Sequence, residues 1–498
     1  MTSRKLSVSS VSNLAAQGVT ILCTFIVSPI LIGKLGQSEY GLWILAFSIT
    51  SYLQILDLGM RGTAIRFLSS AITDKDTSRF GALFATFKNF YSKLGLIILA
   101  LGIAVGIAPL AHSFEPTTEK LLVLVSIFSV ITGISFIFSI YSALLRSSIN
   151  YHVLTSVASG RQILFAGSVF LLRDSLTLIE LTIIYSSLVI AEQLLLRFYG
   201  GKHTPAETTP PLTSKELKPV ISHSRHNILL NFTEKLRWRS DMQIVAHSMD
   251  LEAVTQYGIG IRIPTLFYQF IVALFGSQFV AAFGQMANTN SQKDIRQYLD
   301  SSYRVCVAAS YTVATCLFFV APPFIERWLG PGFDSAKSIM TFILFPAAAF
   351  WGMSPLFCYL TAEGKHAGIA KASLAASVFH LILSIILVEP FGLNGIAISL
   401  FVEFTILTIA LSVITGRATN IKVVKILEIG AFRPLIIIGL LAWPFSILTH
   451  FIDPDNYFVI FLNALAIFAV TSLVTWVFVL DRPTRELMLS ILRRATGK

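Results

Sequence analysis

Apolar runs long enough to cross a bilayer recur along the whole chain, separated by short polar breaks. They fall at residues 10–33, 41–70, 89–111, 120–145, 153–173, 178–199, 222–249, 254–287, 297–322, 336–362, 367–388, 394–416, 431–450 and 457–480, which predicts fourteen spans. Hydrocarbon cannot satisfy the edge of an open sheet, so the spans are predicted to be helices. Residues 222–249 are so polar that hydropathy alone rejects them, but an internal repeat restores them. Ser38-Glu39-Tyr40-Gly41-Leu42 resembles Thr255-Gln256-Tyr257-Gly258-Ile259, and Ala108-Pro109 near the end of the third span matches Ala321-Pro322 near the end of the ninth. In this register 222–249 takes the place of the first span. A six-helix unit returns to the side where it began, so the two halves are expected to be parallel copies around a central cavity. The longest break, Gly200–Pro219, contains Pro205, Pro210, Pro211 and Pro219 and reads as an extended linker. The expected organisation is an all-α polytopic membrane protein. Its lobes are 1–199 and 222–416, joined by a linker at 200–221, followed by a helix pair within 417–480 and a basic tail at 481–498.

Composition narrows the class further. The chain is 54% hydrophobic and 13% charged, where soluble domains carry about 25% charged residues. A soluble domain is therefore excluded, and such hydrophobicity excludes a disordered chain. The net charge of +11 points to an anionic partner, so the location of the charges matters. An even number of spans puts both ends on one side. With the ends inside, the inner segments carry 27 Lys/Arg and 10 Asp/Glu, and the outer breaks carry 5 and 12. Lys/Arg bias of this kind marks the cytoplasmic face, and cations committed to that face argue against a nucleic-acid partner. The tail, with Arg482, Arg485, Arg493, Arg494 and Lys498, reads as a basic amphipathic helix on the inner surface. The apolar stretch after Arg4 and Lys5 is too long for a signal-peptide core and reads as a retained first helix. Cys23, Cys306, Cys316 and Cys358 lack disulfide or metal spacing and read as packing residues.

Setting aside these inner segments and outer breaks leaves eleven charges: Asp57, Arg61, Arg66, Glu192, Glu234, Lys235, Arg237, Arg239, Asp241, Arg262 and Glu403. Facing lipid, they would cost on the order of 30 kcal/mol, so most must face one another or water. On the seventh helix Glu234, Arg237 and Asp241 form one stripe, while Lys235 and Arg239 form another with no acid beside it. The second stripe is expected to line an aqueous cavity and meet an anionic substrate. Asp57 and Arg61 read as i, i+4 partners flanked by glycines. Arg66 reads as lumenal or snorkelling toward the inner interface, and Arg262, in a Gly- and Pro-rich helix, as cavity-lining. Glu192 and Glu403, in the sixth and twelfth spans, read either as carriers of a coupling proton or sodium ion or as hydrogen-bonded acids between helices. His247 and His380 read as packing or interfacial side chains.

The run Leu31-Ile32-Gly33-Lys34-Leu35-Gly36-Gln37-Ser38-Glu39-Tyr40-Gly41-Leu42-Trp43, followed by Asp57-Leu58-Gly59, resembles the opening of bacterial polysaccharide-unit (O-antigen, Wzx-type) flippases. These belong to the multidrug/oligosaccharidyl-lipid/polysaccharide (MOP) exporter superfamily. Arg327-Trp328-Leu329-Gly330-Pro331-Gly332-Phe333 resembles the same family, and Asn13 and Pro29 fit it. The resemblance implies a MATE-like fold in the bacterial cytoplasmic membrane with both termini cytoplasmic. It implies a lumen in which Arg61, Arg66, Lys235, Arg239 and Arg262 pair with the pyrophosphate of a polyprenyl-linked oligosaccharide, with Asp57, Glu234, Asp241, Glu192 and Glu403 as lumenal or ion-coupling acids. No resident cofactor or metal is expected, and other polysaccharide-assembly proteins are expected partners beside the lipid bilayer. Two other classes remain open. A cation-coupled multidrug or metabolite exporter of the same fold would have an acidic lumen. A membrane polymerase or ligase would need a large outer catalytic loop, and no outer break is long enough for one.

Overall fold

The computed structural model describes residues 2–111, 113–205, 209–289, 292–365, 367–450 and 456–495. Lys498 and the centre of the linker, 206–208, lie outside the described residues. The chain is all-helical and forms two compact units, Met1–Thr255 and Gln256–Lys498. Among the described residues, eleven helical stretches have the length and apolar composition to cross a membrane.

In the first unit, α1 (Thr2–Ser51) takes in the first predicted span and the start of the second, with a break at Gly36. The second span does not continue as a helix. A 3-10 turn, Tyr52–Asp57, is followed by left-handed Leu58 and Gly59, and α2 (Met60–Thr73) then begins. Helices α3 (Thr77–Ala111), α4 (Pro116–Ser147), α5 (Tyr151–Leu171) and α6 (Leu178–Gly201) follow. α7 (Ser214–Ser248) starts inside the segment read as linker. The reason is a capping box: Thr213 and Glu216 satisfy each other's backbone N–H groups. The Thr213 hydroxyl and N–H also hold the Glu216 carboxyl below its usual range. Despite its polarity α7 is a helix throughout, and it packs on α1 and α2 within the first unit.

The second unit contains most of α8 (Leu251–Thr289), then α9 (Gln292–Leu329). The predicted helix at 336–362 is two pieces, α10 (Asp334–Gly352) and α11 (Ser354–Ala362), with Pro355 in the first turn of α11, where no N–H is needed. α12 (Ala367–Phe391) and α13 (Leu393–Thr419) lie side by side. The last predicted pair is α14 (Val423–Leu427), a π-turn, α15 (Arg433–His450) and α16 (Tyr457–Phe478), followed by α17 (Arg482–Ala495) in the basic tail.

The helices are inside-out relative to a soluble protein. On α16 the buried positions are Ile460, Asn463, Ile467, Thr471 and Thr475, whereas Phe458, Phe461, Leu462 and Leu465 are exposed. Such apolar surface on so many helices is a lipid-facing surface, and the protein is a multi-pass membrane protein. The repeated motif makes matching contacts in each unit. Glu39 pairs with Lys120 at the start of α4 (2.8 Å), while Gln256 accepts from Ala336 N at the start of α10 (3.2 Å) and donates to the Gly332 carbonyl.

The start of the tail is clamped to α9. Buried Arg304 holds Asp300 (2.8 Å), Asp481 (3.4 Å) and the Val479 carbonyl (3.0 Å), and Thr484 bonds Ser301 (3.0 Å). Partial burial raises the Asp481 pKa, but the Thr484 hydroxyl and N–H and the Arg304 charge outweigh it, so the carboxyl sits below its ordinary value. A depressed carboxyl contributes stability that is present above its unfolded pKa and lost as pH falls through the folded one. Acidification from neutrality to below about pH 4 should therefore release the tail. Proteolysis near residue 482 would report this, and Asp481→Asn should be cleaved at neutral pH as readily as the acidified wild type.

Candidate functional site: a cationic, hydroxyl-lined cavity in the first unit

The broken second span builds the site. Leu58 and Gly59 both have positive φ (50° and 67°), a conformation that costs a non-glycine residue about 1 kcal/mol. Asp57 makes the break tolerable. Its Oδ2 accepts the Arg61 backbone N–H (3.2 Å), capping α2, and its Oδ1 accepts the Tyr91 hydroxyl (2.9 Å). The expected i, i+4 pairing of Asp57 with the Arg61 side chain is thus replaced. The two residues do not share a continuous helix, and the carboxylate is used on backbone and phenol. The Arg61 side chain turns instead toward Ser139 (3.5 Å) and lines two cavities.

The first cavity, about 350 Å³, has an aromatic end of Phe47, Phe128 and Tyr185 and a cationic end of Arg61 and Arg146. Between them α4 contributes Thr132, Ser135, Ser139 and Ser142 at alternating three- and four-residue spacing, a hydroxyl stripe on one helix face. From Phe128 to Arg146 the wall follows about 27 Å of helix, close to the ~30 Å hydrocarbon thickness. The second cavity, about 510 Å³, shares Gln54, Arg61 and Arg146 with the first and adds Asp57, Glu234 and Lys235. Lys235 donates to Gln54 Oε1 (2.9 Å), so a neutral amide tethers it. Among the described residues, Arg61, Arg146 and Lys235 have no carboxylate within ion-pair distance.

The other residues singled out in the sequence divide between the units. Arg239 lies over the Phe47 ring (5.9 Å) while its carbonyl accepts from Ser48 (3.1 Å). Tyr52 meets Ser240 (2.8 Å), and Gln243 reaches Ser48 (3.0 Å), so polar bonds join α7 to α1 and to the 3-10 turn that follows it. Arg237 and Asp241 are buried on the α7 face that also carries Thr233 and Ser240. Glu234, two turns before Asp241, is exposed to the second cavity beside Lys235. Arg66 is exposed on α2 and lines neither cavity; Arg262 is exposed on α8. Glu403 lies in the second unit, fully buried, 3.8 Å from His380.

Glu192 lines the first cavity and is paired with Arg161 of α5 at 2.7 Å. Arg161 also stacks over Tyr185 (5.8 Å). Arg146 borders the predicted break after the fourth span and Arg161 falls within the fifth, yet neither stands among the eleven intramembrane charges. The structure places Arg161 in the middle of α5 and Arg146 in the cavity wall. The signal for Arg146 is the α4 spacing, since it falls on the same stripe as the four hydroxyls.

No protein-family model matches the chain, and no curated protein matches it in sequence. Solved structures do match. The lipid II flippase MurJ in an inward closed conformation aligns over 95% of this chain and 98% of its own, with TM-score 0.68 and 17% identity. An inward-facing multidrug resistance MATE family transporter of the MOP superfamily aligns over 84% of this chain and 99% of its own (TM-score 0.61, 11% identity). A eukaryotic MATE transporter aligns over 84% and 98% (TM-score 0.59, 15% identity). The chain has the fold of these solved transporters.

Proposed function

We propose that this protein is a flippase that moves a polyprenyl-pyrophosphate-linked oligosaccharide unit across the bacterial cytoplasmic membrane, for the synthesis of a surface polysaccharide. The observation that carries the reading is the pair of cavities that share Arg61 and Arg146, the second lined also by Lys235, with none of the three cations in an ion pair among the described residues. A pyrophosphate offers several anionic oxygens, and charge-assisted bonds from guanidinium groups suit it. The hydroxyl stripe of α4 offers donors and acceptors to a glycan, and Phe47, Phe128 and Tyr185 offer flat faces for sugar rings. With both termini cytoplasmic, Arg146 near the end of α4 lies at the inner interface, where a lipid-linked pyrophosphate resides. Alternating access of the fold then carries the head group outward while the lipid tail stays in the bilayer. The MurJ likeness, spanning nearly the whole chain, supports a lipid-linked cargo.

A multidrug exporter of the same fold would need acids available to a cation. Two of the three cavity acids are engaged: Glu192 by Arg161, and Asp57 by Tyr91 and the Arg61 N–H. The test is expression in a strain lacking its own polysaccharide-unit flippase. Surface polysaccharide should return with no gain in resistance to cationic drugs. Resistance without polysaccharide would reverse the assignment.

A further inference from the structure

In the second unit two ionisable side chains are sealed together. Glu403 on α13 and His380 on α12 are both 0% exposed, with Nδ1 and Oε2 3.8 Å apart. Ser377, one turn before His380, donates its hydroxyl to the other Glu403 oxygen (2.6 Å). They sit in a polar seam. The buried face of α12 carries Ser373, Ser377, His380 and Ser384, and on α13 Ser399 lies one turn before Glu403 on the same face. The opposite face of α12, with Phe379, Ile382, Ile385 and Ile386, is exposed to lipid. Along α12 the hydroxyls from Ser373 to Ser384 follow about 16 Å of helix.

The charged groups on the packed elements stand away from the pair along the chain. On α12, Lys371 and Glu389 are nine residues either side of His380, about 13 Å of helix. On α13, Arg417 is fourteen residues beyond Glu403, about 21 Å. On α10, Asp334 and Lys337 lie in the first turn, bonded to each other (3.0 Å), and α14 carries Lys425. α11 has no charged side chain; its titratable groups are Cys358 and Tyr359. Beside Glu403, Phe404 packs on Phe350 and Trp351 (ring centroids 6.0 and 5.8 Å).

We propose that Glu403 and His380 form a proton-binding site whose occupancy drives the transport cycle. The pair is electrically balanced only with one proton between carboxylate and imidazole. Without it a bare carboxylate is buried, and with a second an imidazolium is buried, and either is costly in a sealed seam. While α12 and α13 stay closed, the proton is held. When the seam opens to water, the carboxylate and imidazole are solvated and the proton leaves along the hydroxyls. One proton enters from water on one side, forming an O–H or N–H bond in the pair, and that bond breaks when the proton passes to water on the other side. Proton occupancy thereby biases the equilibrium between closed and open seams. A sodium ion would need a set of oxygen ligands, and here an imidazole faces the carboxylate instead. The site deepens the transporter reading without depending on the cargo.

The test is infrared difference spectroscopy of the full-length protein in lipid nanodiscs, with glutamate carbon labelled, titrated between about pH 5 and pH 9. The expected result is a buried, protonatable carboxyl signal that Glu403→Gln removes and Glu192→Gln leaves in place. His380→Gln, which removes the group facing the carboxyl, should shift the carboxyl frequency. Ser377→Ala, the mildest change, should shift the carboxyl frequency in a folded protein. A spectrum that Glu403→Gln and Ser377→Ala leave unchanged, or a titration displaced by sodium, would overturn the proposal. Adding sugar-free polyprenyl pyrophosphate separates the two readings. If it fails to bind while the carboxyl signal persists, the flippase assignment falls and the proton site stands.

Discussion

Replacing Arg61, Arg146 and Lys235 together by glutamine should leave a folded, membrane-inserted protein that exports no surface polysaccharide. Each cation is expected to make a charge-assisted bond to the pyrophosphate, worth about 1.5–3 kcal/mol, or roughly 10- to 100-fold in export per residue. Single replacements should give losses in that range, and the triple replacement should fall below detection. Stability should hold. Among the described residues none of the three is in an ion pair, so glutamine strands no buried carboxylate. The Arg61 backbone N–H, which Asp57 caps, survives the change. Immunoblotting for protein level and gel analysis of surface polysaccharide measure the two sides. Normal export by the triple variant would remove these residues from the cargo's path.

Gly41→Ala should be the most damaging single-methyl change in the first unit. A Cβ there would lie 2.0 Å from the Leu251 carbonyl oxygen and 3.0 Å from the Thr255 hydroxyl, which is bonded to the Gln37 carbonyl (2.6 Å). The obstacle is backbone, so the start of α8 must move away from α1. Overpacking of this kind costs about 1–3 kcal/mol and occasionally more. Gly33→Ala, on the other side of the Gly36 break, is the control, since a Cβ there meets nothing within 4 Å. That change should be neutral or gain up to about 1 kcal/mol from helix propensity. Thermal unfolding in detergent should therefore give Gly41→Ala a lower midpoint than Gly33→Ala. Equal midpoints would mean that the Gln37–Gly41 motif does not seat against α8.

Much of the fold is legible in the sequence because bilayer thickness imposes a length on every span. Even the polar α7, which no hydropathy window accepts, follows from its place in the repeat. What stays hidden is local. Two left-handed residues, Leu58 and Gly59, break the second span, and a Leu-Gly pair in an apolar run is compatible with a helix. The break takes Asp57 off the Arg61 side chain and gives it to backbone and Tyr91, which i, i+4 spacing cannot show. Arg146 borders a predicted break, where a charge looks solvated, and Arg161 has no acid near it in its own span; each lies on or beside a cavity wall once the helices pack. Glu403 is conspicuous in sequence as an intramembrane acid. Its partner His380 belongs to the neighbouring helix, and only the packing of α12 on α13 brings the imidazole to it.

The most direct measurement is native mass spectrometry of the gently purified protein and of its Arg61/Arg146/Lys235 triple-glutamine variant. The wild type should carry a polyprenyl-pyrophosphate glycan, and the variant should lose it. A wild-type protein that reproducibly retains a cationic small molecule and no pyrophosphate lipid would contradict the flippase assignment.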